Sequence, residues 1–211
     1  MLSIILSLII GIVGCTNTTT PIVEEQPVII EQPEVIEKES EQIELIDYSS
    51  KLIEEYEGIN STQVVQVDLP DIFKVEFLNE DTVKTFIENG TGVIYFGWNT
   101  CPWCRNMLPV LLETLNESDI PLSYFNPKES RGANNNTYNY IIEKLGDYLE
   151  KDDSGKPKLF VPEVLFIKDG EVKFHHLGTV SGQTDASIPL TEDQREELKN
   201  IYIQGLNSLN E

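Results

Sequence analysis

Residues 93–104 read VIYFGWNTCPWC and hold the strongest structural signal in this 211-residue chain. The first four, Val93–Phe96, form a continuous apolar run, which is typical of a strand buried on both faces. Two cysteines three positions apart, Cys101 and Cys104, then open a helical pattern. Because residues at this spacing share one face of a helix, their sulfurs can close a small disulfide ring. The pattern predicts a redox-active cysteine pair at the start of a helix that follows a central strand.

Cys101 is predicted to be the catalytic nucleophile and Cys104 the resolving thiol. Helix N-termini stabilise anions through unpaired N–H groups and the helix dipole, which favours a thiolate at Cys101. Pro102 suits the first helical position because its missing N–H would have no partner there. Arg105, on the first turn, is expected to add positive charge near the sulfur. Cys101 would attack a client disulfide and Cys104 would then release the client, or the steps would run in reverse, with no cofactor beyond the cysteine pair itself.

Shorter patterns on either side predict a sheet with helices. The predicted strands are Val64–Val67, Phe73–Phe77, Val93–Phe96, Leu122–Phe125, Leu159–Ile167 and Val172–His175. The predicted helices are an amphipathic one with Ile43, Ile46, Leu52, Ile53 and Tyr56, one with Val83, Phe86 and Ile87 inward that stops at Gly90, one from Cys101 to about Ser118, one around Tyr138–Leu149, and one that opens with the capping box Thr191–Gln194. Asp169-Gly170 predicts a hairpin turn between the last two strands.

From roughly Phe73 to its C-terminus, the chain resembles the thioredoxin-like superfamily. Besides the cysteine pair, three features carry the resemblance: a proline inside the active-site helix, a proline before an apolar strand, and a closing hairpin followed by a glycine. These features are Pro109, Val161-Pro162, and Lys168–Val172 with Gly178. Phe96–Thr100 and Trp103 look closer to small thioredoxin-like lipoproteins and bacteriocin-transport accessory proteins than to thioredoxin.

The resemblance implies an α/β thioredoxin-like fold with a central mixed β-sheet flanked by helices. It also implies a helical insertion at 127–158, before the cis-proline strand. Pro162 would be cis, and the backbone of Val161 and Pro162 would meet the substrate chain. Trp103 and Trp98 are candidates for an apolar rim of that substrate-binding surface, or are simply packed.

Two residues near the pair bear on proton transfer. Tyr95 stands six residues before Cys101, where thioredoxin has a buried carboxylate that assists proton transfer, so the resemblance does not support an efficient thioredoxin-type reductase. Glu163, directly after Pro162, could supply a carboxylate, but its strand position is expected to point it to solvent.

The segment from 126 to 158 contains an Asn-rich loop and a helical pattern. Because it lies between the redox helix and the proline strand in sequence, its residues Arg131 and Tyr138 could shape substrate choice. A plain surface loop is the favoured interpretation.

The N-terminal region predicts export and a lipid anchor. Residues 1–15 form an apolar targeting segment, and Ile12–Cys15 resembles a bacterial lipobox, which implies lipidation of Cys15 and attachment to the membrane by acyl chains. A short uncleaved anchor is the alternative, and either way the rest of the chain is expected outside the cytoplasm. Residues 16–42 are rich in Thr, Pro and Glu and predict a disordered acidic tether. Residues 43–72 are expected to form a helix and strand extension of a domain over 73–211.

Charge and chemistry together limit the partners. The net charge of −21 repels phosphate backbones and argues against nucleic acid. The expected partners are protein or peptide thiols and disulfides, together with a membrane electron donor or acceptor.

The competing interpretation is a non-catalytic accessory module that holds an exported peptide and has a merely structural disulfide. The direction of exchange stays open, because the Pro-Trp dipeptide alone does not fix how far the thiolate is stabilised.

A metal site is a weaker alternative and none is predicted. With Cys15 lipidated, a structural zinc site would need His175 and His176 to join the two remaining thiols. Adjacent strand residues point to opposite faces, so both histidines cannot readily serve. Copper delivery is disfavoured because the copper carriers of this superfamily usually space their cysteines differently.

Overall fold

The apolar runs of the sequence form the strands of one mixed sheet. The computed structural model describes residues 48–59 and 65–211, which belong to one compact unit. The strands are β1 (Val75–Phe77), β2 (Gly92–Phe96), β3 (Leu122–Phe125), β4 (Glu163–Lys168) and β5 (Glu171–Leu177). The helices are α1 (48–57), α2 (Glu80–Asn89), α3 (Pro102–Glu117), α4 (Lys128–Ala133), α5 (Asn136–Leu145) and α6 (Glu192–Ser208).

The strand order is β1-β3-β2-β4-β5. β3 pairs parallel with both β1 and β2, whereas β4 pairs antiparallel with β2 and with β5. The central position of β2 explains why Val93–Phe96 is apolar throughout, since all four side chains are fully buried. The predicted α/β thioredoxin-like fold, a mixed sheet flanked by helices with a helical insertion before β4, is confirmed.

Helices cover both faces of the sheet and create two cores. α1, α3 and α6 enclose the first core, which includes Tyr95 and both redox cysteines. α2 and α5 enclose the second core, which includes Phe96 and Leu165. Alternate residues of β2 therefore face different cores, as the period of a strand requires. Cys101 and Cys104 belong to the first core because they lie at the start of α3, which packs on that core.

The predicted helix and turn signals hold at several points. Gly90 caps α2, and the capping box between Thr191 and Gln194 begins α6. Asp169 and Gly170 form the hairpin turn with positive φ angles of 52° and 79°, the conformation that Asp-Gly adopts in two-residue hairpins.

The predicted strand at Val64–Val67 is wrong for its described part, since residues 65–67 adopt no regular structure. The carbonyl of Val65 accepts a hydrogen bond from Nε of Arg105. A buried side chain thus satisfies the backbone group that a neighbouring strand would otherwise have paired.

Several predicted boundaries also differ. β1 begins at Val75 rather than Phe73, and β5 spans Glu171–Leu177 rather than Val172–His175. β4 begins at Glu163 rather than Leu159, because the strand beside it, β2, offers partners only to Glu163–Ile167. The helix expected around Tyr138–Leu149 runs instead over Asn136–Leu145, after the short α4.

The predicted N-terminal helix is present over 48–57, where Leu52 and Tyr56 are completely buried. The targeting segment 1–15, including Cys15, and the tether 16–42 lie outside the described residues, as do Ile43 and Ile46. Within 48–59 and 65–211, no helix combines the length and the apolar character that crossing a bilayer requires.

Candidate active site

Cys101 is the N-cap residue of α3, and Pro102 occupies the first helical position as predicted. The Cys101 sulfur accepts a hydrogen bond from the backbone N–H of Cys104 at 3.3 Å, the role that a Ser or Asp oxygen usually plays. Its thiol also donates to the carbonyl oxygen of Val161 across 3.8 Å. The peptide bond between Val161 and Pro162 is cis, as predicted. The Cys101 sulfur therefore lies between a helix N-terminus and the cis-proline loop.

The pKa values of the two thiols are shifted in opposite directions. The pKa of Cys101 is lowered to about 7, chiefly by hydrogen bonding with the Cys104 side chain, with smaller contributions from the N–H groups of Cys104 and Trp103 and the charge of Arg131. Burial raises the pKa of Cys104 well above its ordinary value, since that side chain has no exposed surface. Both are free thiols in this structure. At neutral pH about half of Cys101 is thiolate while Cys104 keeps its proton.

Arg105 does not supply the charge expected beside Cys101. Its side chain is only 1% exposed, and its guanidinium donates to the carbonyl oxygens of Val65, Tyr56 and Asn99. The prediction assumed that an arginine on the first turn stays near the neighbouring sulfur. The guanidinium is instead held by these three carbonyl groups, and the bond to Tyr56 ties α1 to the start of α3.

Arg131 of α4 is the basic residue whose charge favours the Cys101 thiolate. Its guanidinium lies 4.5 Å from the centre of the Trp98 ring and donates to the Leu159 carbonyl at 3.4 Å. Those two residues belong to the segments before α3 and before β4 that enclose Cys101. In the described part of the chain, no carboxylate forms an ion pair with Arg131. The insertion thus brings a cation to the site, and Trp98 lies beneath that cation rather than forming a free rim.

Arg131→Gln is expected to raise the pKa of Cys101 by about half a unit, because a nearby positive charge that favours the thiolate is removed. The ultraviolet absorbance of the thiolate, followed against pH, measures this shift. Arg131→Lys should retain most of the effect. Lys128→Gln removes an exposed charge from the same helix and should leave the titration unchanged; equal shifts in both glutamine variants would mean that only the overall charge matters.

Glu163 is buried, which contradicts the expected exposure to solvent. It is 1% exposed, and its Oε1 lies 3.1 Å from Nδ1 of His175. Burial raises the pKa of Glu163, and the contact with His175 opposes that rise. Glu163 lies opposite Phe96 on β2 and so shares the face of the second core, whereas Cys104 belongs to the first. The sheet therefore separates this carboxylate from the cysteine pair.

The predicted substrate-binding residues lie together beside Cys101. Trp103 and Val161 line a groove of about 560 Å³ whose other walls come from Phe160 and the segment His176–Ser181. Pro162 is buried behind Val161. An apolar groove next to a nucleophile suits the side chains of a peptide that presents its disulfide to the site.

The two histidines of β5 point away from each other. Nδ1 of His175 faces Glu163, and Nε2 of His176 donates to the Thr179 carbonyl at 2.6 Å. Across 48–59 and 65–211, no three His, Cys, Asp or Glu side chains come together as a metal ion would require.

Neither a protein-family model nor a curated protein matches the chain. Among solved structures, it is similar to thioredoxin from Aeropyrum pernix, with 16% sequence identity and a TM-score of 0.32. That similarity covers 59% of this chain and 85% of the thioredoxin.

Proposed function

We propose that the protein is an extracytoplasmic thiol–disulfide oxidoreductase that exchanges disulfides with exported proteins through Cys101 and Cys104. The observation that supports this best is the opposite tuning of the two thiols, with a pKa of about 7 for Cys101 and a strongly raised pKa for Cys104. A structural disulfide needs no such difference, whereas a nucleophile and a resolving thiol do. A thioredoxin-like fold fits an oxidoreductase in general.

The reaction proceeds in two displacements. The Cys101 thiolate attacks one sulfur of the client disulfide, forms a mixed disulfide and releases the other client sulfur as a thiolate. Cys104, once deprotonated, attacks Cys101, which forms the Cys101–Cys104 disulfide and releases the second client sulfur. The client gains the two electrons that the cysteine pair loses, and the reverse order oxidises a client dithiol. A membrane electron donor or acceptor would then reset the pair.

The N-terminal sequence supports the proposed location. A lipid on Cys15 would anchor the chain, and the tether 16–42 would give the domain a reach of roughly 30 Å from the membrane surface. At that distance the groove beside Trp103 can meet exported chains while the strongly acidic domain stays off the anionic lipid surface.

Cys104→Ser should trap clients as mixed disulfides on Cys101, because the second displacement has lost its nucleophile. Non-reducing electrophoresis of alkylated cell-envelope extracts should show adducts that disappear on reduction. The double variant, which also carries Cys101→Ser, serves as the control and should trap nothing. If function in the cell is unchanged in Cys104→Ser and no adduct forms, the non-catalytic accessory module is the correct alternative.

A further inference from the structure

The Cys104 proton needs a route out of the protein. Cys104 must become a thiolate before it can attack the mixed disulfide, yet its side chain is completely buried and water cannot reach it. Glu163 lies against the other core. The groups of the first core that lie near Cys104 are therefore the ones to consider as proton acceptors.

Three tyrosine hydroxyls, from three different elements, lie between Cys104 and the surface. Tyr95 on β2 belongs to the same core as Cys104, and each side chain influences the pKa of the other. Its hydroxyl oxygen is 3.0 Å from that of Tyr56 on α1. Tyr124 on β3 stacks on Tyr95, with ring centres 5.5 Å apart, and the side chain of Tyr56 influences its pKa. Tyr95 and Tyr56 have no exposed surface, and Tyr124 is 1% exposed.

The row of hydroxyls ends at Glu55, a partly exposed carboxylate on α1. The Tyr124 hydroxyl lies 3.1 Å from Oε1 of Glu55 and 3.3 Å from the Gly97 carbonyl oxygen, and donates its one proton to the nearer of these acceptors when it faces Glu55. An ionised carboxylate only accepts hydrogen bonds, whereas each hydroxyl has one proton to donate and lone pairs to accept another. When Tyr124 donates to Glu55, its oxygen is free to accept from Tyr56. By the same reasoning, the Tyr56 oxygen accepts from Tyr95, and the Tyr95 oxygen accepts from the Cys104 thiol.

We propose, on the basis of the exchange reaction proposed above, that Tyr95, Tyr56 and Tyr124 carry the Cys104 proton to Glu55. The thiol proton moves to the Tyr95 oxygen while each hydroxyl hands its own proton to the next oxygen, and the last proton arrives on the Glu55 carboxylate. The tyrosines end neutral, and the Cys104 thiolate attacks the Cys101 sulfur. The client thiolate leaves with the bonding electron pair, and Glu55 gives its proton to water.

The proton shifts must be concerted. Burial raises the pKa of Tyr56, Tyr95 and Tyr124 above the ordinary value for tyrosine, so none of the three holds a negative charge at neutral pH. Burial also raises the pKa of the final acceptor, Glu55, which makes it a better acceptor than an ordinary surface carboxylate.

Charged and polar groups around the relay come from several elements. Tyr124, Lys51 and Asn126 favour the ionised form of Glu55. Arg105 of α3 donates to the backbone of Tyr56, and Tyr202 of α6 lies near Cys104. Lys51 is therefore the charged neighbour to hold constant when the pH dependence of Glu55 variants is compared.

The packing of α1 fits this role. Asn99, just before the redox pair, donates to the backbone carbonyl of Glu55 at 2.9 Å, and Arg105 donates to that of Tyr56 at 2.7 Å. Gly97 leaves room for the Tyr95 hydroxyl, because a Cβ at that position would lie 2.0 Å from its oxygen. α1, which packs on the first core, thus supplies Tyr56 in the middle of the relay and Glu55 at its end.

Glu55→Gln tests the relay with a side chain of the same shape that can still accept from Tyr124. The wild-type protein and the variant are each mixed rapidly with a symmetric aromatic disulfide whose thiolate product absorbs visible light. The first thiolate reports attack by Cys101, and the second reports release by Cys104. We expect release to slow about tenfold or more in Glu55→Gln and in Tyr95→Phe, with attack unchanged. Glu54→Gln removes the exposed carboxylate directly before Glu55 in sequence. It is the matched control and should release at the wild-type rate.

The pH profile of release separates a relay from a structural role. Wild-type release should level off above the pKa of Glu55 and fall as pH drops through it, because only the ionised carboxylate accepts. In Glu55→Gln, release should rise with hydroxide concentration throughout. An unchanged rate and profile in Glu55→Gln would overturn the relay while leaving the exchange function intact. A wild-type protein that releases no aromatic thiolate at all would overturn the exchange function itself.

Discussion

Cys101→Ser should lower the rate constant for attack on a small aromatic disulfide by about 10³-fold or more, the largest change that we expect from any single substitution. A serine hydroxyl stays protonated at neutral pH, whereas the Cys104 side chain and, to a smaller extent, the N–H groups at the helix N-terminus lower the pKa of the Cys101 thiol to about 7. The measurement is the release of the aromatic thiolate under pseudo-first-order conditions, with unfolding midpoints to show that the variant folds.

Cys104→Ser is the matched control, since it should keep the attack step and stop after one released thiolate. The wild-type attack rate should also fall about tenfold per pH unit below pH 7 and level off above it, because the lowered pKa leaves less thiolate as pH drops. Comparable attack rates in Cys101→Ser and the wild-type protein would rule out Cys101 as the nucleophile.

Arg105→Met should lower the free energy of unfolding by about 3 kcal/mol or more. The guanidinium is buried and satisfies the carbonyl groups of Val65, Tyr56 and Asn99. Methionine fills much of the same space but donates to none of them, so three buried acceptors lose a partner. Urea unfolding at constant pH, with the cysteines reduced, measures the change.

Arg195→Met is the control for the loss of a positive charge. Arg195 forms a surface ion pair with Glu113 at 2.8 Å, and such pairs contribute less than about 1 kcal/mol. Because Arg105 ties α1 to α3, its loss should also speed amide hydrogen exchange in 48–57 more than elsewhere. Equal destabilisation by the two substitutions would show that the carbonyl contacts of Arg105 matter little.

Local pattern was sufficient for the centre of the fold. Val93–Phe96 is apolar because β2 lies between two paired strands and two cores, and the Cys-Pro-Trp-Cys stretch has the residues that begin a helix. The positions of the cysteine pair therefore followed from spacing. The cis peptide before Pro162 did not, since spacing alone favours a trans proline at a strand start, and only the resemblance to thioredoxin-like proteins predicted it.

The charged residues around the pair were harder to predict because contacts between distant segments decide where they lie. Arg105 is near Cys101 in sequence but is held by the backbone carbonyls of Tyr56, Val65 and Asn99, whereas Arg131 is distant in sequence and reaches the site through α4. Glu163 is predicted at the surface because its contact with His175 on the neighbouring strand is not visible in its own strand. Tyr95 stands in the sequence where thioredoxin has a buried carboxylate, which is visible without a structure. Its contact with Tyr56 is not, because that contact depends on how α1 packs.

The pKa of Cys101 also bears on how strongly the Cys101–Cys104 disulfide oxidises other proteins. Stabilising the thiolate favours the dithiol and so raises the midpoint potential of the couple. With a pKa of about 7, this advantage over an ordinary thiol at neutral pH is only ~0.4 kcal/mol, or ~10 mV for a two-electron couple. Cys104 keeps its proton at that pH and adds nothing to it. A Cys101 pKa of about 7 therefore supplies thiolate at neutral pH without making the pair a strong oxidant.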